Sequence, residues 1–215
     1  MSVFFIFLLS LINPLSVSKE DPKIKNGDLI FQESCSGEFG NAVKEVTYSA
    51  KGYNFTHVGI VWINPDNDSI YVIEATHPKV CITPLKKFLI PDGGKCKPTS
   101  VLGRVKEKYH PLILPAIEEA KKLVGYEYDD AFDICNNKYY CSELIYNIFL
   151  KANHNTPVFE LNTMTFKRKG TNKYFQNWIE HFRKLNIPIP EGELGINPGA
   201  MSKQKNVIDI LYEIP

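Results

Sequence analysis

Two runs rich in β-branched and aromatic residues, His57-Val58-Gly59-Ile60-Val61-Trp62-Ile63 and Ser69-Ile70-Tyr71-Val72-Ile73-Glu74-Ala75, stand on either side of Asn64-Pro65-Asp66-Asn67. Such runs favour extended backbone, and a cluster of Asn, Pro and Asp between them marks a turn, so the segment reads as an antiparallel hairpin. A four-residue turn over 64–67 would pair Ile63 with Asp68, Val61 with Ile70 and Gly59 with Val72. It would place His57 directly opposite Glu74. Directly opposed side chains share a face, with Cβ atoms about 4.5–5.5 Å apart. A carboxylate there accepts a hydrogen bond from one imidazole nitrogen and leaves the other to act as a base. A slip of one residue would put the two side chains on opposite faces.

A nucleophile for that base lies downstream. In Tyr139-Tyr140-Cys141-Ser142-Glu143-Leu144-Ile145, Cys141 opens a helical pattern in which Leu144, Ile145, Ile148, Phe149 and Ala152 share its face. The first turn of a helix carries unpaired N–H groups and the positive end of the dipole, which favour a thiolate over a thiol. The thiolate is the nucleophilic form. Taken alone, a cysteine on an apolar stripe is more often a core residue; the His57–Glu74 pair upstream supplies the functional reading.

The order His, Glu, Cys is itself informative. Gly27-Asp28-Leu29-Ile30-Phe31-Gln32, His57-Val58-Gly59-Ile60, Ile73-Glu74-Ala75 and Tyr140-Cys141-Ser142-Glu143-Leu144 together resemble the YiiX-type branch of the NlpC superfamily. Gly125-Tyr126-Glu127-Tyr128-Asp129 and Gly195-Ile196-Asn197-Pro198 fit the same pattern, and the resemblance spans roughly residues 25–211. These are circularly permuted papain-like cysteine hydrolases, in which the His-bearing strand precedes the Cys-bearing helix. The resemblance implies an α+β, NlpC-type permuted papain-like fold, with a small antiparallel sheet packed on the helix bearing the catalytic cysteine. It also implies Cys141 as nucleophile, His57 as base and then acid, and Glu74 as the group that orients His57. An oxyanion needs donors aimed at it in advance. The Cys141 N–H is one, and the Tyr140 hydroxyl, the Tyr128 hydroxyl and the Gln32 amide are candidates for a second.

The remaining features describe the setting. Val3 to Ile12 is an apolar run followed by Asn-Pro and small residues, which resembles a signal peptide over 1–18, although no Lys or Arg precedes it. The run is too short for a comfortable membrane span. Export, periplasmic or extracellular, is therefore expected, with a retained N-terminal anchor as the alternative and a single domain over 19–215. Five cysteines leave one unpaired. With Cys141 as the free thiol, Cys35, Cys81, Cys96 and Cys135 would form two disulfides or remain four thiols. No Cys-x-x-Cys occurs and the histidines are scattered, so neither a metal nor another cofactor is expected. A formal charge of +1 gives no basic surface for nucleic acid.

A coarse pass places strands at 28–32, 57–63, 69–75, 80–85 and 100–105, and one helical turn at 85–89. Helices follow at 112–124, from Cys141, and at 173–185, with a last apolar stretch at 207–211. Substrate contacts are expected in the glycine-bearing segment 33–55, with Ser34, Ser36 and Tyr53, and a further wall in 159–175. Three readings compete. The first is an exported cysteine amidase or peptidase acting on an amide, acyl or peptide substrate such as cell-wall peptide, through a thioester on Cys141. The second is a thiol acyltransferase or lipid-directed hydrolase, favoured by any trough of Phe and Tyr side chains. The third is a binding domain on the same fold without catalysis.

Overall fold

The computed structural model describes residues 23–35, 43–44, 46–91, 95 and 97–215. The leader expected over 1–18, together with Ser36 and Cys96, lies outside the described residues.

The chain runs β1 (Leu29–Glu33), β2 (His57–Ile63), β3 (Ile70–Thr76), β4 (Lys79–Pro84), α1 (Leu85–Leu89) and β5 (Thr99–Val105). It continues through α2 (Ile113–Lys122), α3 (Cys141–Ala152), β6 (Asn162–Thr163) and α4 (Gln176–Leu185). Last come β7 (Leu194–Gly195), α5 (Pro198–Ser202) and β8 (Ile208–Ile214). Six strands form one sheet in the order β4-β3-β2-β1-β5-β8, and β6 pairs with β7 apart from it. Every pairing between these strands is antiparallel. The apolar stretch near the C-terminus, given no partner by the sequence, is the edge strand β8 on β5.

The central strands read as nearly continuous apolar runs because both faces of the sheet are covered. Leu29, Phe31, Val58, Ile60, Ile73 and Ala75 face α2 and α3 in the main core, against Ile117, Leu144, Ile145 and Phe149. Ile30, Val61, Val72 and Leu102 face the other way, under Phe88 of α1. At the head of β1, Gly27 adopts φ +77, and the buried Asp28 carboxylate takes two bonds from Arg104 of β5, at 2.7 and 2.8 Å. A bidentate pair of this kind fixes geometry as well as energy. The Gly27-Asp28 motif thus pins β1 to β5.

The hairpin forms, but with a different register. Ile63 pairs with Ile70, Val61 with Val72 and Ile60 with Ile73, so the connection is six residues long rather than four. Asn64 Oδ1 accepts from Asp66 N, and Asn67 Oδ1 from Ser69 N, each at 3.0 Å. Asp68 adopts φ +56 and cannot continue a strand. The register therefore slips by two residues. Because side chains alternate with period two, the slip leaves His57 and Glu74 on one face.

Neither expectation for the cysteines holds, two disulfides or four thiols: Cys81, Cys135 and Cys141 are free, while Cys35 is disulfide-bonded. Cys81 is held in the middle of β4 opposite Glu74. Among the described residues, no helix is long and apolar enough to cross a membrane.

Candidate active site

Helix α3 begins at Cys141. Tyr140, in the extended conformation typical of an N-cap (φ −92, ψ 169), precedes it. The Tyr140 N–H donates to Glu143 Oε2 at 3.2 Å, which fixes the first turn. The residues flanking Cys141 grip one further segment: Ser142 Oγ donates to Ile196 O at 2.8 Å, and Ile196 N donates to the Tyr140 hydroxyl at 3.1 Å. The Gly195-Ile196-Asn197-Pro198 motif thus forms a wall beside Cys141. Gly195 is required there, since a Cβ would lie 2.7 Å from Met164 Cγ.

Helix α3 packs across β2, and Cys141 Sγ lies 3.9 Å from Thr56 O, at the start of that strand. His57 follows at once. Its Nε2 is 2.6 Å from Glu74 Oε2, so Nδ1 is the nitrogen left for the hydrogen bond with Cys141. Continuing the β2–β3 ladder puts Gly59, not His57, opposite Glu74, and the pair meets along a diagonal. Diagonal neighbours remain within reach of long side chains. The His57 ring also packs 5.7 Å from that of Phe88.

Charge is arranged to match. Burial disfavours the His57 cation, but hydrogen bonds with Cys141 and Glu74, and negative charge on both, outweigh it and raise its pKa from 6.5 to about 10. Burial likewise opposes the Glu74 carboxylate, yet the hydrogen bond and charge of His57, a hydrogen bond from Thr83 and the charge of Lys87 hold its pKa below the usual value. The His57 ring is therefore protonated at neutral pH beside the Glu74 carboxylate.

The three side chains separate two spaces. On the Cys141 side is a narrow apolar cavity of about 70 Å³, walled by Tyr128, Phe132, Tyr140, Met164, Phe166 and Trp178. On the His57 side is a more polar, open groove of about 580 Å³, with Ser34, Glu74, His77, Cys81 and Lys87 along it.

The structure sorts the remaining sequence candidates. Gln32 stands opposite His57 on β1, but its amide nitrogen donates to Phe88 O at 2.9 Å and Ser100 Oγ at 3.1 Å. An amide carries two hydrogens, so Gln32 has no donor left for an oxyanion and instead fixes Phe88 beneath His57. The Tyr140 and Tyr128 hydroxyls stay on the Cys141 side, and burial raises the pKa of each, so both remain protonated donors. Ser34 lines the polar groove and bonds Thr56 through its N–H at 3.0 Å. Tyr53 does not reach the site: the turn at Lys51 and Gly52, both with positive φ, carries it to Glu213, 2.8 Å from its hydroxyl. From the 159–175 segment, Met164, Thr165 and Phe166 wall the apolar cavity. Phe132, Trp178 and Lys87 had no signal in the sequence, because neither a motif nor a local period connects them with Cys141.

Comparison with known proteins agrees with this architecture. The chain is 25% identical over 218 residues to the uncharacterized protein YiiX of Escherichia coli (strain K12), covering 98% of this chain and 96% of the relative. The crystal structure of yiiX from Escherichia coli O157:H7, described as a metalloprotein, superposes with a TM-score of 0.68 at 24% identity, over 88% of this chain and 97% of that one. Among the described residues of this chain, no group of three or more His, Cys, Asp or Glu is arranged to hold a metal ion. The model of the permuted papain-like amidase family (YaeF/YiiX, C92) matches residues 23–211, so the chain belongs to that family and is a cysteine hydrolase of the amidase and peptidase type.

Proposed function

We propose that the protein hydrolyses an amide through a Cys141–His57–Glu74 triad and a thioester acyl-enzyme. The observation that carries this reading is the unbroken chain of contacts from Glu74 through the His57 ring to Cys141, at the start of a helix. Cys141 Sγ attacks the amide carbonyl, and the N–H groups of the first helical turn receive the developing oxyanion. His57 delivers its proton to the departing nitrogen, which leaves as the amine. It then takes a proton from water as the water attacks the thioester, releasing the acid and regenerating Cys141. Glu74 holds the ring in place throughout.

The two spaces divide the substrate. The acyl group is attached to Sγ and belongs in the apolar cavity; the leaving amine is protonated by His57 and belongs in the polar groove. Cell-wall peptide enters this proposal as an amide whose acyl side is small and apolar. The aromatic walls of the cavity also favour a second reading, transfer of a short apolar acyl group by the same acyl-enzyme, with an amine or alcohol replacing water. Export is part of the proposal, supported by the disulfide at Cys35, since such bonds persist in oxidising compartments.

The test is iodoacetamide labelling across pH 4–9, with the modified cysteine located by mass spectrometry, in the wild type and in His57→Ala. Selective labelling of Cys141 well below pH 8, weakened by the substitution, is expected. Labelling of Cys141 that begins only near the ordinary thiol pKa of about 8.5 would sink the triad.

A further inference from the structure

Phe132 is a bulky residue in left-handed backbone conformation, at φ +56. That region is uncommon for any residue with a side chain and a true outlier for a large one. The loop is held there by the buried Asp129, whose carboxylate accepts from Ala131 N at 2.9 Å and Asp133 N at 2.7 Å, on either side of Phe132. The consequence is an exact placement of one ring. It stands edge-on to Tyr140 at 5.4 Å and to Trp178 at 5.7 Å, at the end of the apolar cavity that opens on Cys141.

The other side of Phe132 faces a separate open groove of about 660 Å³, bordered by Ile134, Ile187, Pro188, Pro190 and Leu194. Among the described residues, Phe132 is the one that lines both spaces. The cavity of about 70 Å³ on the Cys141 side holds on the order of five water-sized groups, at ~10–15 Å³ each. A space of that size takes only a short chain unless its wall opens into the groove beyond.

We propose that Phe132 is the specificity-determining backstop of the acyl side, restricting the enzyme to short apolar acyl groups and separating the Cys141 cavity from the Ile187–Leu194 groove. This rests on the reading that the acyl group occupies the apolar cavity.

The test uses straight-chain alkyl chloromethyl ketones of four to ten carbons, at pH 9, where any accessible thiol ionises whether or not His57 activates it. Cys141 Sγ forms a bond to the methylene carbon and chloride leaves, with the alkyl chain in the place of the acyl group. Intact mass and peptide mapping give the rate at Cys141 for the wild type, Phe132→Ala and Phe132→Leu, each checked for a cooperative thermal transition. In the wild type the rate is expected to fall at least about tenfold between the shortest and longest reagents, a modest loss for several excluded methylenes. Phe132→Ala should bring the ratio to within about threefold, with Phe132→Leu between. A wild-type rate independent of length, or the same fall in every folded variant, overturns the backstop. Phe132→Leu keeps the test decisive if the alanine variant does not fold. Failure of the triad shows separately, as iodoacetamide labelling that waits for pH near 8.5.

Discussion

His57 reaches Glu74 along a diagonal of the β2–β3 ladder, and the position directly opposite Glu74 is the glycine at 59. A Cβ on Gly59 would lie 2.4 Å from Val72 Cγ1, 3.2 Å from Ile73 O and 3.3 Å from Glu74 Cβ. Glycine is therefore what lets the two strands close while the acid and the imidazole lean toward each other.

Gly59→Ala is expected to destabilise the fold by ~1–3 kcal/mol, the usual range for forcing atoms into a packed site. It should also reduce amide hydrolysis in the protein that remains folded, because relief of the clash moves Val72 or Glu74. Urea melts together with activity per folded molecule check this. Unchanged stability would mean that the strands yield without cost.

The charge on His57 depends on its neighbours. Replacing Cys141 with Ser puts a neutral hydroxyl in place of the sulfur whose hydrogen bond and charge raise the ring's pKa, while Glu74 remains. The His57 ring in Cys141→Ser should therefore titrate below the wild-type value of about 10, followed by NMR of the imidazole carbons. The sign for stability follows from the same shift. A folded pKa raised above 6.5 gives stabilisation that is full below 6.5 and is lost as pH rises through about 10. Identical titrations in the two proteins would remove Cys141 as a partner of the ring.

Glu143 carries a charge problem of the opposite sense. It is 0% exposed, and burial pushes its carboxyl up to about 9, so it is a neutral acid at pH 7. The unfolded chain ionises near 4.5, so stability from this group is greatest below 4.5 and declines as pH rises toward 9, by at most about 1.4 kcal/mol per pH unit. Glu143→Gln keeps an acceptor for the Tyr140 N–H and has nothing to ionise. Its denaturation midpoints at pH 5 and pH 8 should therefore differ less than those of the wild type. Parallel pH profiles would show that Glu143 is already charged in the folded protein.

Much of the fold is local and was legible. The hairpin, the α3 face and the strand around Leu29 follow from hydrophobic period and turn chemistry, which act over a few residues. The face shared by His57 and Glu74 was also legible, because the period of two survives a slip of two. The register itself was not, since it depends on how Asn64, Asn67 and Asp68 fold the turn.

The sequence by itself determined the order of His57, Glu74 and Cys141 along the chain and the strands and helix that bear them, because hydrophobic period and turn chemistry act locally. Only the tertiary structure decided what surrounds them. It committed the Gln32 donors to Phe88 and Ser100, drew Tyr53 away to Glu213, and brought Phe132, Phe166 and Trp178 around Cys141. Those contacts join segments far apart in the chain, and no local period encodes them. They arise when the buried faces of the sheet and the helices close on one core.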